Sequence, residues 1–494
     1  MIFILLLAFF AIFLFHELYW KRRNLPPGPT PLPFLGNMLQ MSNPNPGYQA
    51  FLNWTKKYGS VFTVWLGMDP YVIITSYDLL KETFIKDGDT YVNKPGNPLQ
   101  RKLRGGDYGV LDTNGEVWRD QRRFALTQLR DLGLGKDLMQ EKILIEVEEL
   151  QKELDQVVGQ DIDLPTFIDK SVGNVINLTL FGYRFEKERA QEFRDLKELI
   201  DSQRKILSQF WYFIQFRISF LEMIMPGKSL TELVVGKRHE LDKFYMKQIE
   251  EHRKIVDYDE VENSDFVEAY LKEQRRRGLE GDVHGFDNKQ LTAMCFDLWL
   301  AGLVTTTITL TWGVSFYLHD DKVKEKILEE LDRVIGEDRL ITTADKNDLP
   351  YMTAFLNETQ RCTNLLPTNL PHQTTRDTTI DGFFVKKGTR IIAQMSSVML
   401  DEKVFPDPFK FNPDRFIENG KLKKVDELIP FSIGKRQCLG EGLARMELFL
   451  FFANLYHRYE ITPGSTGLPD IDKSKTTGIV LPREFNAILR KRHN

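Results

Sequence analysis

The stretch Phe431-Ser432-Ile433-Gly434-Lys435-Arg436-Gln437-Cys438-Leu439-Gly440-Glu441-Gly442 constrains this chain more than any other. It sets one cysteine in a glycine-punctuated loop, two residues after an arginine. Just beyond it a helix-like run begins, with Leu443, Ala444, Met446, Leu448 and Phe449 apolar. A thiolate here would face the first turn of that helix, whose unpaired N–H groups and partial positive charge favour an anion. Gly434 and Gly440 permit turns that a side chain would block, and they let backbone approach a flat ligand closely. Arg436 is a permanent cation with a fork suited to carboxylates. Taken alone, Cys438 could equally be a buried free cysteine.

At 494 residues the length allows about three domains. The chain interior carries no Gly/Ser-rich or Pro-rich linker, so one large domain is expected. Hydrophobic content of 42% suits a core able to bury a large cofactor. A net charge of −4 gives no reason to expect nucleic acid. Only Cys295, Cys362 and Cys438 are present, a sparse and odd count that argues against a disulfide framework and for a reducing compartment.

Met1 to Phe15 is almost wholly apolar, followed by Tyr19 and Trp20, then Lys21, Arg22 and Arg23, then Pro26-Pro27-Gly28-Pro29. Interfacial aromatics followed by basic residues suit an uncleaved signal anchor with the chain continuing on the cytoplasmic side. A cleaved signal peptide would carry its charges first and end in small residues. Residues 1–20 thus read as a transmembrane anchor and 21–33 as a basic, proline-rich hinge.

Val61 to Leu66 and Tyr71 to Thr75 predict a hairpin. Most of the remainder reads as helix, as at Met139 to Leu154 and Ala190 to Ile206. Trp118 and Arg122 are four apart on a predicted helix, so indole N–H and guanidinium share a face and could hold one carboxylate. A snorkelling arginine over an aromatic ring is the plainer alternative. The aromatic run Gln209 to Met225 is either core or a membrane- or ligand-facing patch. Asn288 to Leu318 is a long, proline-free, apolar helix centred on Ala301-Gly302-Leu303-Val304-Thr305-Thr306-Thr307. Ala301 and Gly302 keep its surface thin, and a threonine hydroxyl can bond back to the carbonyl four residues earlier. Glu358 and Arg361 at i,i+3 would alone be a weak surface pair.

The motif Phe-x-x-Gly-x-Arg-x-Cys-x-Gly resembles the haem-thiolate loop of the cytochrome P450 family, in its membrane-anchored microsomal animal form. The resemblance spans the chain. It implies a mainly α fold, a helical prism with a smaller β-rich region behind the N-terminal anchor helix, with residues 34–494 as the haem-thiolate catalytic domain. It makes Cys438 the axial ligand of haem b iron. Phe431 is implied to shield the sulfur side, and Gly434 to bind the cofactor from the same loop. Arg436, Trp118, Arg122 and His372 are implied to hold the haem propionates. Thr305 is implied to hold dioxygen and help deliver protons. Glu358, Arg361 and Arg415 match the buried Glu-Arg-Arg network that fixes the haem-loop meander. The chain departs from the family at Val304, where a carboxylate usually stands, and valine cannot relay a proton. Asp297 lies seven residues earlier, near the same face.

The resemblance implies a monooxygenase that inserts one atom of O2 into a lipophilic small molecule such as a fatty acid, steroid or xenobiotic. The chain shows no nucleotide-binding motif of its own, so electrons from NADPH would come through a separate reductase, with cytochrome b5 a further candidate partner. The expected location is the endoplasmic reticulum membrane, catalytic domain facing the cytoplasm. Lys423, Lys424, Lys435 and Arg445 flank the haem loop and could form a basic docking face, or simply a solvated one. Val304 motivates a second reading, a reductase-independent, peroxide-rearranging or peroxygenase enzyme. A third is a haem-binding sensor without catalysis.

Overall fold

The computed structural model describes residues 1–42, 47–96, 98–133, 137–207, 230–336, 339–473 and 479–493. The aromatic run predicted at Gln209 to Met225 lies outside the described residues. Helix α1 (Ile2–Leu18) leaves nearly all its apolar side chains exposed, and with the following turn it is long and apolar enough to cross a membrane (Ile2–Arg22). Its base is tied to the rest of the chain. Buried Glu17 pairs with Lys21, the Lys21 ammonium lies 4.3 Å from the centre of the Trp65 ring, and Arg22 donates to the Gly28 carbonyl at 3.0 Å.

Strands β1 (Val61–Leu66) and β2 (Asp69–Ile74) form the expected hairpin, joined by Gly67-Met68 alone. The second strand therefore starts two residues before the predicted Tyr71. Further on come helices α2 (Gly115–Asp131), α3 (Asp137–Asp155), α4 (Leu164–Phe181), α5 (Ala190–Leu207) and α6 (Leu230–Ile255), with strand β3 (Asp161–Ile162) between α3 and α4. Then follow α7 (Asn288–His319), α8 (Asp321–Ile335), α9 (Pro350–Thr363), strands β4 (His372–Gln373) and β5 (Arg390–Ala393), α10 (Glu441–Arg458), β6 (Tyr459–Pro463) and β7 (Ala487–Lys491). One sheet runs β1-β2-β5-β4, with β2 and β5 parallel, and a second runs β6-β7-β3.

Helix α7 is the spine. Asp287 caps it by accepting from Gln290 N, and it is buried on most of its circumference. It packs on α4, α6, α9 and α10. Two glycines set those approaches. A Cβ at Gly302 would stand 3.0 Å from Ile176 of α4, and one at Gly313 would meet the Phe452 ring of α10 at 2.0 Å. Gly302 thus thins the helix where α4 packs on it. Four hydroxyls along α7 are satisfied within it, as Thr292, Thr305, Thr309 and Thr311 each donate to the carbonyl four residues back, whereas the buried Thr307 hydroxyl has no partner among the described residues.

Helix α9 begins at Pro350 and ends at Asn364, whose left-handed φ of 51° stops it. It carries Glu358 and Arg361, both fully buried and not the surface pair their spacing alone suggests. Arg361 donates to Glu358 at 2.7 and 2.8 Å and to the carbonyls of Met399 and Pro408. Arg415 donates to Glu358 Oε1 at 3.0 Å and to Pro406 O at 2.9 Å. Asn412 N completes the carboxylate's shell at 2.8 Å. One carboxylate therefore ties α9 to the irregular segment that leads into the cysteine loop.

Candidate active site

The loop before α10 closes on itself through Cys438 N donating to Phe431 O at 3.0 Å. Gly434 has a φ of 83°, and a Cβ there would stand 2.2 Å from the Phe84 carbonyl. Glycine is thus required at 434 for turn and packing together. Gly440 is different: its φ is −91° and its added Cβ meets no protein atom within 4 Å, so neither the turn nor the packing of the protein requires glycine there. Phe431 is half-buried under the Arg445 guanidinium, 4.8 Å from its ring centre.

The cysteines divide cleanly. Cys295 and Cys362 are buried, and burial pushes both thiols up, Cys362 to about 12. Cys438 alone is exposed. Burial of its surroundings still raises its thiol, opposed by the Gly440 N–H and by the Arg122 cation.

Donors converge on this loop from three directions. Arg122, on α2, donates to Gln437 O at 2.6 Å. Arg436 donates to the carbonyls of Val92, Val110 and Thr113 at 2.9, 3.3 and 2.7 Å and to Asn114 Oδ1 at 3.1 Å. It stacks on Trp118, guanidinium to ring centre 3.8 Å. The Trp118 Nε1–H is buried with no partner. His372 is buried on β4, donates Nδ1–H to Tyr91 O at 2.6 Å, and packs edge-on against Phe84. Lys94 was not singled out by sequence. It is buried, donates to Leu370 O at 2.9 Å, and acts electrostatically on both His372 and Asp112.

This cluster is short of negative charge. Burial, then Arg436, holds Lys94 down at about 7. Burial, then Arg122, holds Arg436 at about 9. Burial lowers Arg122, and burial with Lys94 sends His372 well below its ordinary value. Asp112 is the acid nearby, and burial raises it in turn. An orphaned indole N–H among under-compensated cations fits a ligand that brings carboxylates, as haem b does with its two propionates.

On α7, Ala301 is exposed and Thr305 donates to its carbonyl at 2.6 Å. Val304 packs against an apolar cluster that includes Ile308, Leu365 and Ile479. Asp297 is no substitute acid for position 304. It pairs with Arg104 at 2.7 Å and accepts from the backbone N–H groups of Val110 and Leu111. It thereby fastens to α7 the stretch that carries Arg436's carbonyl partners. Glu447, unremarked in the sequence, is fully buried on α10, where burial pushes its carboxyl up to about 8 and Thr306 hydrogen-bonds it. The four basic residues flanking the loop are each paired: Lys423 with Glu418, Lys424 with Asp426, Lys435 with Asp89 and Arg445 with Glu441. The basic face is largely neutralised.

The profile of the family described as Cytochrome P450 matches residues 26–489. The chain belongs to the cytochrome P450 family. It is 36% identical over 493 residues to chicken (Gallus gallus) cytochrome P450 2H2, covering 98% of this chain and 97% of that one. It is 35% identical over 481 residues to human (Homo sapiens) cytochrome P450 2C8, covering 96% and 95%. It is 36% identical over 468 residues to cytochrome P450 2E1 of Oryctolagus cuniculus, covering 93% and 92%. The enzyme is a haem-thiolate monooxygenase using haem b, with the mainly α cytochrome P450 fold.

Proposed function

We propose that this cytochrome P450 inserts one oxygen atom of O2 into a lipophilic small molecule, such as a fatty acid, steroid or xenobiotic. Electrons come from NADPH through a separate reductase, with cytochrome b5 as a second donor, and Cys438 is the thiolate ligand. The observation that carries this reading is the exposure of Cys438 alone among three cysteines, in a loop beside the under-compensated cations. Haem b, when bound, supplies one-electron redox chemistry and O2 activation, and a thiolate ligand favours O–O cleavage. Lys94, Trp118, Arg122, His372 and Arg436 would hold the propionates and orient the ring. Thr305 offers a hydroxyl beside exposed Ala301 and can hold or pass a proton at Oγ1. Glu447 keeps its proton through neutral pH and fixes Thr306. Ala301, Val304, Leu365 and Ile479 give this side of α7 an apolar character, which supports a lipophilic substrate.

Residues 1–20 act as the membrane anchor, 21–33 as the hinge, and 34–494 as the catalytic domain on the cytoplasmic face of the endoplasmic reticulum. Exposed apolar α1 followed by Lys21, Arg22 and Arg23 supports this. Val304 favours one second reading, a reductase-independent enzyme that rearranges or uses peroxides. Reconstitution of the full-length protein in vesicles with reductase separates the two. Hydroxylated product that requires both NADPH and O2 supports the monooxygenase. Turnover of a lipid hydroperoxide without reductase, and none with NADPH, supports the alternative.

A further inference from the structure

Three side chains from separate elements meet at the opposite end of α10 from the cysteine loop. His457 lies in the last turn of α10, Asp332 near the end of α8, and His493 just past β7. One nitrogen or oxygen from each lies within 4.8 Å of the others. His457 is 5% exposed, yet neither ring nitrogen has a hydrogen-bond partner. Nε2 of His493 has none either, standing 3.7 Å from Asp332 Oδ1. The two imidazole rings are 5.3 Å apart. A buried imidazole with both nitrogens unsatisfied is destabilising unless something fills the gap.

We propose that Asp332, His457 and His493 form a site for a divalent transition metal, with zinc the best match. Two imidazole nitrogens and one carboxylate oxygen, with water in the fourth position, are a tetrahedral zinc donor set. Nitrogen donors disfavour magnesium and calcium, which take oxygen. At metal distances of about 2.0–2.1 Å the donor atoms would sit roughly 3.4 Å apart, so the site must contract. His493 can supply that movement, since it lies beyond the last residue paired in β7. Arg492 and Arg339 face the cluster and oppose a cation. The Asp332 carboxylate offsets Arg492, which donates to both of its oxygens at 2.8 and 2.7 Å, and it retains lone pairs for a metal.

The site is separate from the haem loop, since the rise of α10 puts His457 about 24 Å along the helix from Glu441. Its effect would be structural: the metal clamps the C-terminal strand β7 to the ends of α8 and α10.

The test is calorimetric titration of zinc chloride into haem-loaded, full-length protein, freed of metal by chelator and carrying no histidine tag. The expected result is one zinc per chain. His493→Ala and Asp332→Asn should each weaken it at least roughly tenfold while leaving the haem spectrum unchanged. Zinc should raise the unfolding temperature of the wild type and not of either variant, and magnesium should raise neither. Absence of stoichiometric zinc binding in the wild type would overturn the site. So would equal binding in both variants, which would mark adventitious surface binding.

Discussion

The Arg436 guanidinium lies 3.8 Å from the centre of the Trp118 ring, while the indole N–H of that same tryptophan is buried without a partner. The cation is held by four acceptors on the 92–114 stretch and by the ring, so it is fixed before any ligand arrives. The indole proton is the part of the pair left waiting for an anion.

Trp118→Phe keeps an aromatic ring for Arg436 to stack on, and removes the N–H together with part of the indole's area. Loss of a hydrogen bond to a charged group is about 1.5–3 kcal/mol. The variant should take up haem, fold normally and release haem faster than wild type to a scavenging apoprotein. An unchanged release rate would mean that the indole holds no propionate. Arg436→Lys should be more damaging, because it strips the fork from the carbonyls as well.

Glu358 is fully buried between Arg361 and Arg415. Glu358→Gln leaves two guanidinium groups without their carboxylate. Breaking such a buried pair costs about 3–5 kcal/mol. Denaturant unfolding should show that loss, with little haem incorporated. Wild-type stability in the variant would contradict the structural role.

Thr305→Val removes the hydroxyl bonded to Ala301 O, whereas Thr305→Ser retains it. Product formed per NADPH consumed should fall roughly hundredfold in the valine variant. The serine variant should recover most of it. Equal coupling in both would remove Thr305 from proton delivery.

Glu447 gives a pH signature. Its native carboxyl titrates at about 8, against an ordinary 4.5. Below 4.5 native and unfolded chains are both protonated, so the group contributes nothing. From there up to 8 the unfolded state releases its proton and the native state does not, so stability falls with rising pH, by at most about 1.4 kcal/mol per pH unit. Glu447→Gln should abolish that slope. Its stability advantage over wild type should grow across this window and then level off. Parallel stability curves would contradict the assignment.

The parts of this site legible in sequence are those fixed by local spacing. Cys438 and Arg436 share one loop, Trp118 and Arg122 one helical face, and Glu358 and Arg361 one turn of α9. Residues whose meaning depends on distant partners stayed hidden. Lys94 is a lone lysine before Pro95-Gly96 until the chain brings it to Arg436 and His372. Glu447 sits in a run of apolar residues, and Thr306, its partner, lies on another helix. Asp297 was visible as an acid, but its commitment to Arg104 required the fold. Gly302 likewise makes room for Ile176 on another helix, a contact that no local spacing announces.

Ligation of the iron by Cys438 is read out by the carbon monoxide difference spectrum of the full-length protein in membranes. Samples are reduced in parallel with dithionite and with NADPH plus reductase, for wild type and Cys438→His. The wild type should give the red-shifted Soret band of a thiolate-ligated haem under both reductants, and the variant should bind haem without that band. Retention of the band in Cys438→His, or its absence from haem-loaded wild type, would rule out Cys438 as the ligand.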